Sequence, residues 1–151
     1  YYAAYFGIMA KGFDYEIMCG GPEKLEAELG EIKKKEKASP QEEQILKTGA
    51  IVREMYARGI EFTPIDIYKA KANRFSIIEG KIMPSLLAIA GLGEKAAEMV
   101  EQEAAKSRFL SLDDFKARTK VSTTLTDAMV RMGILSGLPE TNQLSLFDMM
   151  Q

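Results

Sequence analysis

Two glycines one residue apart, Gly91 and Gly93, bracket Leu92 between two short apolar-faced stretches. No other feature limits the fold of this chain as tightly. Leu86, Leu87 and Ile89 precede the pair, and Ala96, Ala97, Met99 and Val100 follow it at helical spacing. Glycine reaches backbone conformations closed to other residues, so the chain can reverse here while Leu92 anchors inward. A helix starting straight after such a turn leaves its first amides without partners, and the helix dipole adds partial positive charge there. The turn is therefore a ready anion site, with Lys95 in the first turn of the helix to add charge. An isolated Gly-x-Gly would be no more than a tight turn between helices.

The rest of the chain divides at similar punctuation. Residues 1–19 read as a short helical piece and a loop, closed by Gly20-Gly21-Pro22. Pro22 opens a charged helix expected over 22–38, with Leu25, Leu29 and Ile32 on one face and alternating Glu and Lys as its solvated side. Ser39-Pro40-Gln41-Glu42-Glu43 then supplies an N-cap, a first-turn proline and first-turn acids. Ile45, Leu46, Ile51, Val52, Met55 and Tyr56 form that helix's apolar stripe, and Gly59 ends it. The two helices are expected to pair as an antiparallel hairpin. Residues 60–70 read as extended, with Pro64 restricting them to an edge or irregular strand. Two apolar runs around Glu79-Gly80 predict a small β-hairpin closed by Pro84. Helix is expected from there to about Leu135, so the fold class is mainly α with one small β-hairpin.

The longer pattern around Gly91, with Ile89 before it and Ala96, Ala97, Met99 and Val100 after it, resembles the helix-hairpin-helix motif. Such hairpins hold DNA by its phosphates without reading bases, because amides meet only phosphate oxygens. A weak repeat follows. Ser111 is an N-cap with Asp114 at the third helical position, and Val121-Ser122-Thr123-Thr124 then takes the place of Gly91-Leu92-Gly93-Glu94. Leu125, Ala128 and Met129 supply the second helix of this repeat. Its glycines are gone, and the hydroxyls of Ser122, Thr123 and Thr124 can contact phosphate or cap the helix. By resemblance, two such hairpins in tandem form a pseudo-symmetric module astride a minor groove. Lys81, Lys95, Lys106, Arg108, Lys116, Arg118, Lys120 and Arg131 surround them, nearly matched by acids, which implies modest and salt-sensitive affinity. Base-excision glycosylases also place an Asp about this far after the hairpin, but Asp113 sits where a helix start favours acids. The Val-Asp-x-His-Val context of those enzymes is absent.

Composition excludes several other chemistries. There is no histidine and one cysteine, Cys19, which rules out a Cys-His couple, an internal disulfide and the common zinc sites. Cys19 is expected to be a structural thiol in a reducing, cytoplasmic setting. A net charge of −2 does not by itself announce a nucleic-acid binder, and no apolar run is long enough to span a membrane. The opening Tyr1-Tyr2-Ala3-Ala4-Tyr5-Phe6 lacks a basic start and reads as the inside of a longer protein.

Near the C-terminus, after Pro139, Gln143-Leu144-Ser145-Leu146-Phe147 places three large apolar residues in a polar stretch with no core to join. They either fold back or are covered by a partner. Together with YYAAYF, GIEFTPIDIYKAKANRFSIIEGKIMPSLLAIAGLGEKAA and NQLSLF, the whole chain resembles the C-terminal end of PolC-type bacterial DNA polymerase III alpha subunits. The resemblance implies a parent DNA-directed DNA polymerase whose palm, with paired Asp residues and Mg²⁺, lies upstream. No Asp-x-Asp occurs here, so no catalytic residue and no cofactor are expected in this chain. It further implies that residues 1–80 end the fingers, 81–136 bind primer-template duplex, and 137–151 form a flexible clamp-binding tail. In that tail Gln143 would hydrogen-bond at the rim of a pocket on the sliding clamp, which Leu144, Leu146 and Phe147 fill. Tyr68, Lys69, Lys71 and Arg74 would face the template strand or form a solvated edge; the residues leave both open. A DNA-repair or scaffold module using the same hairpins without a clamp contact is the alternative function.

Overall fold

A computed structural model describes residues 1–8 and 13–140. It contains α1 (Tyr2–Ile8), α2 (Tyr15–Met18), α3 (Pro22–Lys33), α4 (Pro40–Ala57), β1 (Ser76–Ile78), β2 (Lys81–Met83), α5 (Glu94–Lys106), α6 (Leu112–Thr119) and α7 (Thr123–Arg131). The protein is mainly helical with one small antiparallel sheet, as its patterning predicts.

Local chemistry accounts for most boundaries. Asp14 caps α2 by accepting the Ile17 amide, at 3.2 Å. At α4, Ser39 accepts the Glu42 amide while the Glu42 carboxylate accepts the Ser39 amide, each at 3.1 Å, completing a capping box ahead of Pro40. Gly59, at φ +81°, ends α4, with the Ile60 amide donating to Met55 at 3.2 Å. β1 and β2 pair in the register Ser76–Met83, Ile77–Ile82, Ile78–Lys81. Their two-residue turn has Glu79 at φ +51° and Gly80 at φ +81°, the twist-matched geometry of tight hairpins.

α3 and α4 form the expected antiparallel hairpin, tied by Glu26–Arg53 and by Lys35–Glu42 nearer the turn. Gly49 lets the helices approach: a Cβ there would lie 2.7 Å from Leu29 Cδ2. α3 stops at Lys33 rather than running to 38, because residues 34–38 are needed to reverse the chain before the Ser39 cap.

Two apolar clusters result. Phe6, Met18, Leu25, Leu29, Val52 and Met55 fill the one under α1–α4, joined by the packed rings of Phe6, Phe13, Phe62 and Phe75. Ile65, Leu86, Ile89, Val100, Phe115, Met129 and Leu135 fill the other. The sheet joins them, with Ile82 in the first and Met83 in the second. Tyr15 also bridges them, its hydroxyl accepting the Ile65 amide at 3.2 Å. Residues 60–72 form the irregular, edge-like stretch that Pro64 requires, but one that is largely buried beyond that proline. Phe62 makes one parallel bridge to Ile82, and Ile65, Ile67, Ala70 and Ala72 are buried. Burial pushes the Cys19 thiol well above its ordinary pKa, which favours its protonated form.

Candidate nucleic-acid interface

The stretch before Gly91 forms less helix than its apolar residues predict. It is a single 3₁₀ turn, Leu86–Ala88, after which Ile89 is extended. Pro84 and the buried Ser85 hold the entry, and the side chains still reach the core: Leu86 and Ile89 are almost wholly buried. Gly91 then takes φ +88°, Leu92 is buried, and Gly93 caps α5.

The two glycines serve different ends. Gly91 is required by its backbone angle. Gly93 sits at φ −75°, ψ 168°, open to any residue, and a Cβ there would meet nothing within 4 Å among the described residues. It offers no side-chain cap, so the amides of Glu94, Lys95 and Ala96 have no acceptor among the described residues. The first turn of this 13-residue helix is thus bare, with the exposed Lys95, which has no ion pair among the described residues, beside it. Glu94, also exposed, is the one opposing charge in that turn.

The second turn repeats the first, but one residue earlier than the sequence pattern places it. Lys120 takes φ +65°, Val121 is buried, and Ser122 is the cap of α7 with φ −65°, ψ 158°. Lys120-Val121-Ser122-Thr123 therefore superposes in role on Gly91-Leu92-Gly93-Glu94. The expectation that Val121 matches Gly91 is corrected, because burial selects the aliphatic residue and only Val121 supplies it. Ser122 Oγ accepts the Leu125 amide at 3.2 Å, so this hydroxyl caps the helix. Thr123 and Thr124 are exposed on the first turn. A Cβ on Gly91 would lie 3.8 Å from Leu125 Cδ1, so the two turns sit side by side.

The surrounding cations are not equivalent. Arg118 is mostly buried and spent on the fold. Its guanidinium donates to the Glu103 carbonyl at 2.6 Å, the Ser107 carbonyl at 3.0 Å and the Arg108 carbonyl at 3.2 Å. It also pairs with Glu103 and Asp114 at 3.2 and 3.3 Å and lies over the Phe109 ring at 4.4 Å. It caps the C-terminus of α5 and cannot also hold a phosphate. Lys81, Lys106 and Lys116 pair with Glu61, Glu103 and Asp113. Asp113 itself is half exposed in the first turn of α6, an ordinary helix-start acid. Arg108 covers the Tyr68 ring at 4.4 Å. Lys95, Lys120 and Arg131 have no ion pair among the described residues. Lys106–Glu103, Lys116–Asp113 and Arg118–Asp114 are pairs one helical turn apart, whereas the partners of Lys81 and Arg108 and the reach of Arg118 to α5 depend on contacts across the fold.

The chain beyond α7 returns to the module. Pro139 and Glu140 carbonyls accept the Leu112 and Asp113 amides at 2.8 and 3.1 Å, and Leu138 packs on the core. Residues 137–140, grouped with the tail by sequence, are thus docked. Gln143, Leu144, Ser145, Leu146 and Phe147 lie outside the described residues.

A family model described as a helix-hairpin-helix motif matches residues 59–144, more than half of the chain. The chain belongs to the helix-hairpin-helix family. Its matched region begins at Gly59, in agreement with the burial of Ile65, Ile67, Ala70 and Ala72 in the cluster that also holds Leu92 and Val121. Among curated proteins, the chain is 40% identical over 148 residues to the DNA polymerase III PolC-type of Caldanaerobacter subterraneus subsp. tengcongensis, covering 97% of this chain and 11% of that protein. It is 44% identical over 151 residues to the protein of the same name from Streptococcus suis, covering 98% and 10%. The chain thus spans about a tenth of the length of these relatives and is homologous to one segment of them. No helix among the described residues is long and apolar enough to cross a membrane.

Proposed function

We propose that this chain grips duplex DNA through backbone phosphates as part of a replicative DNA polymerase. The residues are Gly91, Leu92, Gly93 and Lys95 in the first hairpin and Lys120, Ser122, Thr123 and Thr124 in the second. The observation that carries this reading is Gly93: a glycine that neither its backbone angle nor its packing requires, standing before three bare amides. Absence of a side chain there lets a phosphate reach the amides. Leu92 and Val121 act from inside, fixing each turn to the core. Catalysis, and the Mg²⁺ it requires, is assigned to residues outside this chain.

The test is fluorescence anisotropy with duplexes of unrelated sequence. Gly93→Val combined with Lys95→Ala is expected to weaken binding to all of them alike, since amides do not read bases. Unchanged affinity would overturn the assignment of the hairpin.

The same reading makes Gln143–Phe147 a tether to the sliding clamp, with Gln143 at a pocket rim, Ser145 as spacer, and Leu144, Leu146 and Phe147 filling the pocket. Two weak contacts, one to DNA and one to the clamp, would then reinforce each other through effective concentration. A repair or scaffold module without a clamp contact is the competing reading. Capture of the clamp by a peptide of residues 139–151 separates the two. The polymerase names of the relatives favour the first.

A further inference from the structure

Residues 59–140 contain eleven lysines and arginines. Five are engaged by acids, carbonyls or an aromatic ring, as described above. Of the other six, which have no ion pair among the described residues, three lie within one six-residue stretch: Lys69, Lys71 and Arg74. Burial of Ala70 and Ala72 between them and of Phe75 after them turns these cations outward, with Lys69 and Arg74 exposed and Lys71 half-buried.

This stretch is fastened to the first hairpin. The Leu86 amide donates to the Lys71 carbonyl at 2.9 Å and the Leu87 amide to the Ala72 carbonyl at 3.2 Å. From α5, the Glu101 carboxylate accepts the Ala72 amide at 2.8 Å. Two neighbouring acids are oriented toward backbone amides, Glu101 to Ala72 and Asp66 to Tyr68 at 2.9 Å, and neither forms an ion pair with these cations. In a chain of net charge −2, a solvated face ordinarily intersperses both signs. Here three cations have no ion pair among the described residues, and the hairpin holds the backbone at Lys71 and Ala72 between them.

We infer that Lys69, Lys71 and Arg74 form a second line of contacts to the DNA backbone, extending the grip of the first hairpin along the same duplex. The inference rests on the hairpins binding phosphate, and it predicts no base preference because ammonium and guanidinium groups here meet phosphate oxygens.

The test measures duplex affinity of the full 151-residue chain across a series of KCl concentrations. Removing one cation–phosphate pair lowers the slope of log K against log salt by about 0.9. The Lys69→Ala, Lys71→Ala, Arg74→Ala variant is expected to show a visibly shallower slope. A variant of equal charge change on the exposed α3–α4 cations, Lys33→Ala, Lys37→Ala, Lys47→Ala, is expected to keep the wild-type slope. If both variants show the same shallower slope, only net charge matters and the inference fails. If the first keeps the wild-type slope while Gly93→Val weakens binding, the second line is absent and the hairpin assignment stands. If the wild type does not bind duplex at all, both fall.

Discussion

A methyl group added at Gly91 would be carried at φ +88°, whereas one added at Gly93 would project into open space from an ordinary backbone angle. Gly91→Ala is therefore expected to cost about 1–2 kcal/mol of stability. Gly93→Ala should cost only about 0.5 kcal/mol, since alanine is a poorer cap than glycine. DNA affinity should fall in both, but only Gly93→Ala should lose it without moving the thermal midpoint appreciably. Lys120 provides the converse case. It holds a left-handed angle, φ +65°, that suits glycine better. Lys120→Gly is expected to stabilise the fold by up to about 1 kcal/mol while weakening salt-dependent DNA binding. A parallel loss of both would show that the lysine side chain supports the fold instead.

At the scale of elements, α5 and α6 are held together by one side chain. Arg118 reaches from α6 to the Glu103 carbonyl in α5, to the Ser107 and Arg108 carbonyls just beyond it and to the Glu103 carboxylate, and losing it removes these charge-assisted bonds together. Arg118→Ala is expected to destabilise by about 2–3 kcal/mol in urea unfolding, with little rescue by lysine, which lacks the planar fork. Hydrogen bonds from Lys106 first, and Arg118 second, hold the Glu103 carboxyl below the usual carboxylate range. A carboxyl with a lower pKa folded than unfolded stabilises above its unfolded value of about 4.3 and loses that contribution as pH falls toward the folded value. Glu103→Gln should therefore flatten the acid side of the stability–pH curve and leave its shape above neutrality unchanged. Between α3 and α4 the deciding residue is Gly49. Alanine would improve helix propensity by about 0.5–1 kcal/mol. Its Cβ would nevertheless press on the buried Leu29 at 2.7 Å. Net loss in denaturant midpoint is the expected result of such overpacking, and in a Leu29→Ala background the same Gly49→Ala step should no longer cost stability.

On the scale of the whole molecule, two apolar clusters share a sheet, so the two hairpin turns are carried on a unit braced by α1–α4. Docking of Pro139 and Glu140 on α6 means that any tether formed by Gln143–Phe147 starts from a fixed point on the module. Leu146→Ala with Phe147→Ala is expected to abolish clamp capture while leaving the thermal midpoint unchanged; a large drop in stability would place those residues in a core instead. What the sequence determined by itself is local: the caps at Ser39 and Ser111, the stop at Gly59, the Glu79-Gly80 turn, the Gly91 reversal and the pairing of α3 with α4. Each rests on hydrogen bonds or backbone angles spanning a few residues, or on an apolar stripe of helical period, and such signals are written in adjacent letters. Only the tertiary structure decided the rest. Burial of Val121 against distant residues set the register of the second turn and so gave Lys120 its left-handed angle. The reach of Arg118 to α5 engaged it within the fold, and the burial of Ala70 and Ala72 turned Lys69, Lys71 and Arg74 outward. These outcomes depend on which residues far apart in the chain come into contact, and residue spacing does not encode that.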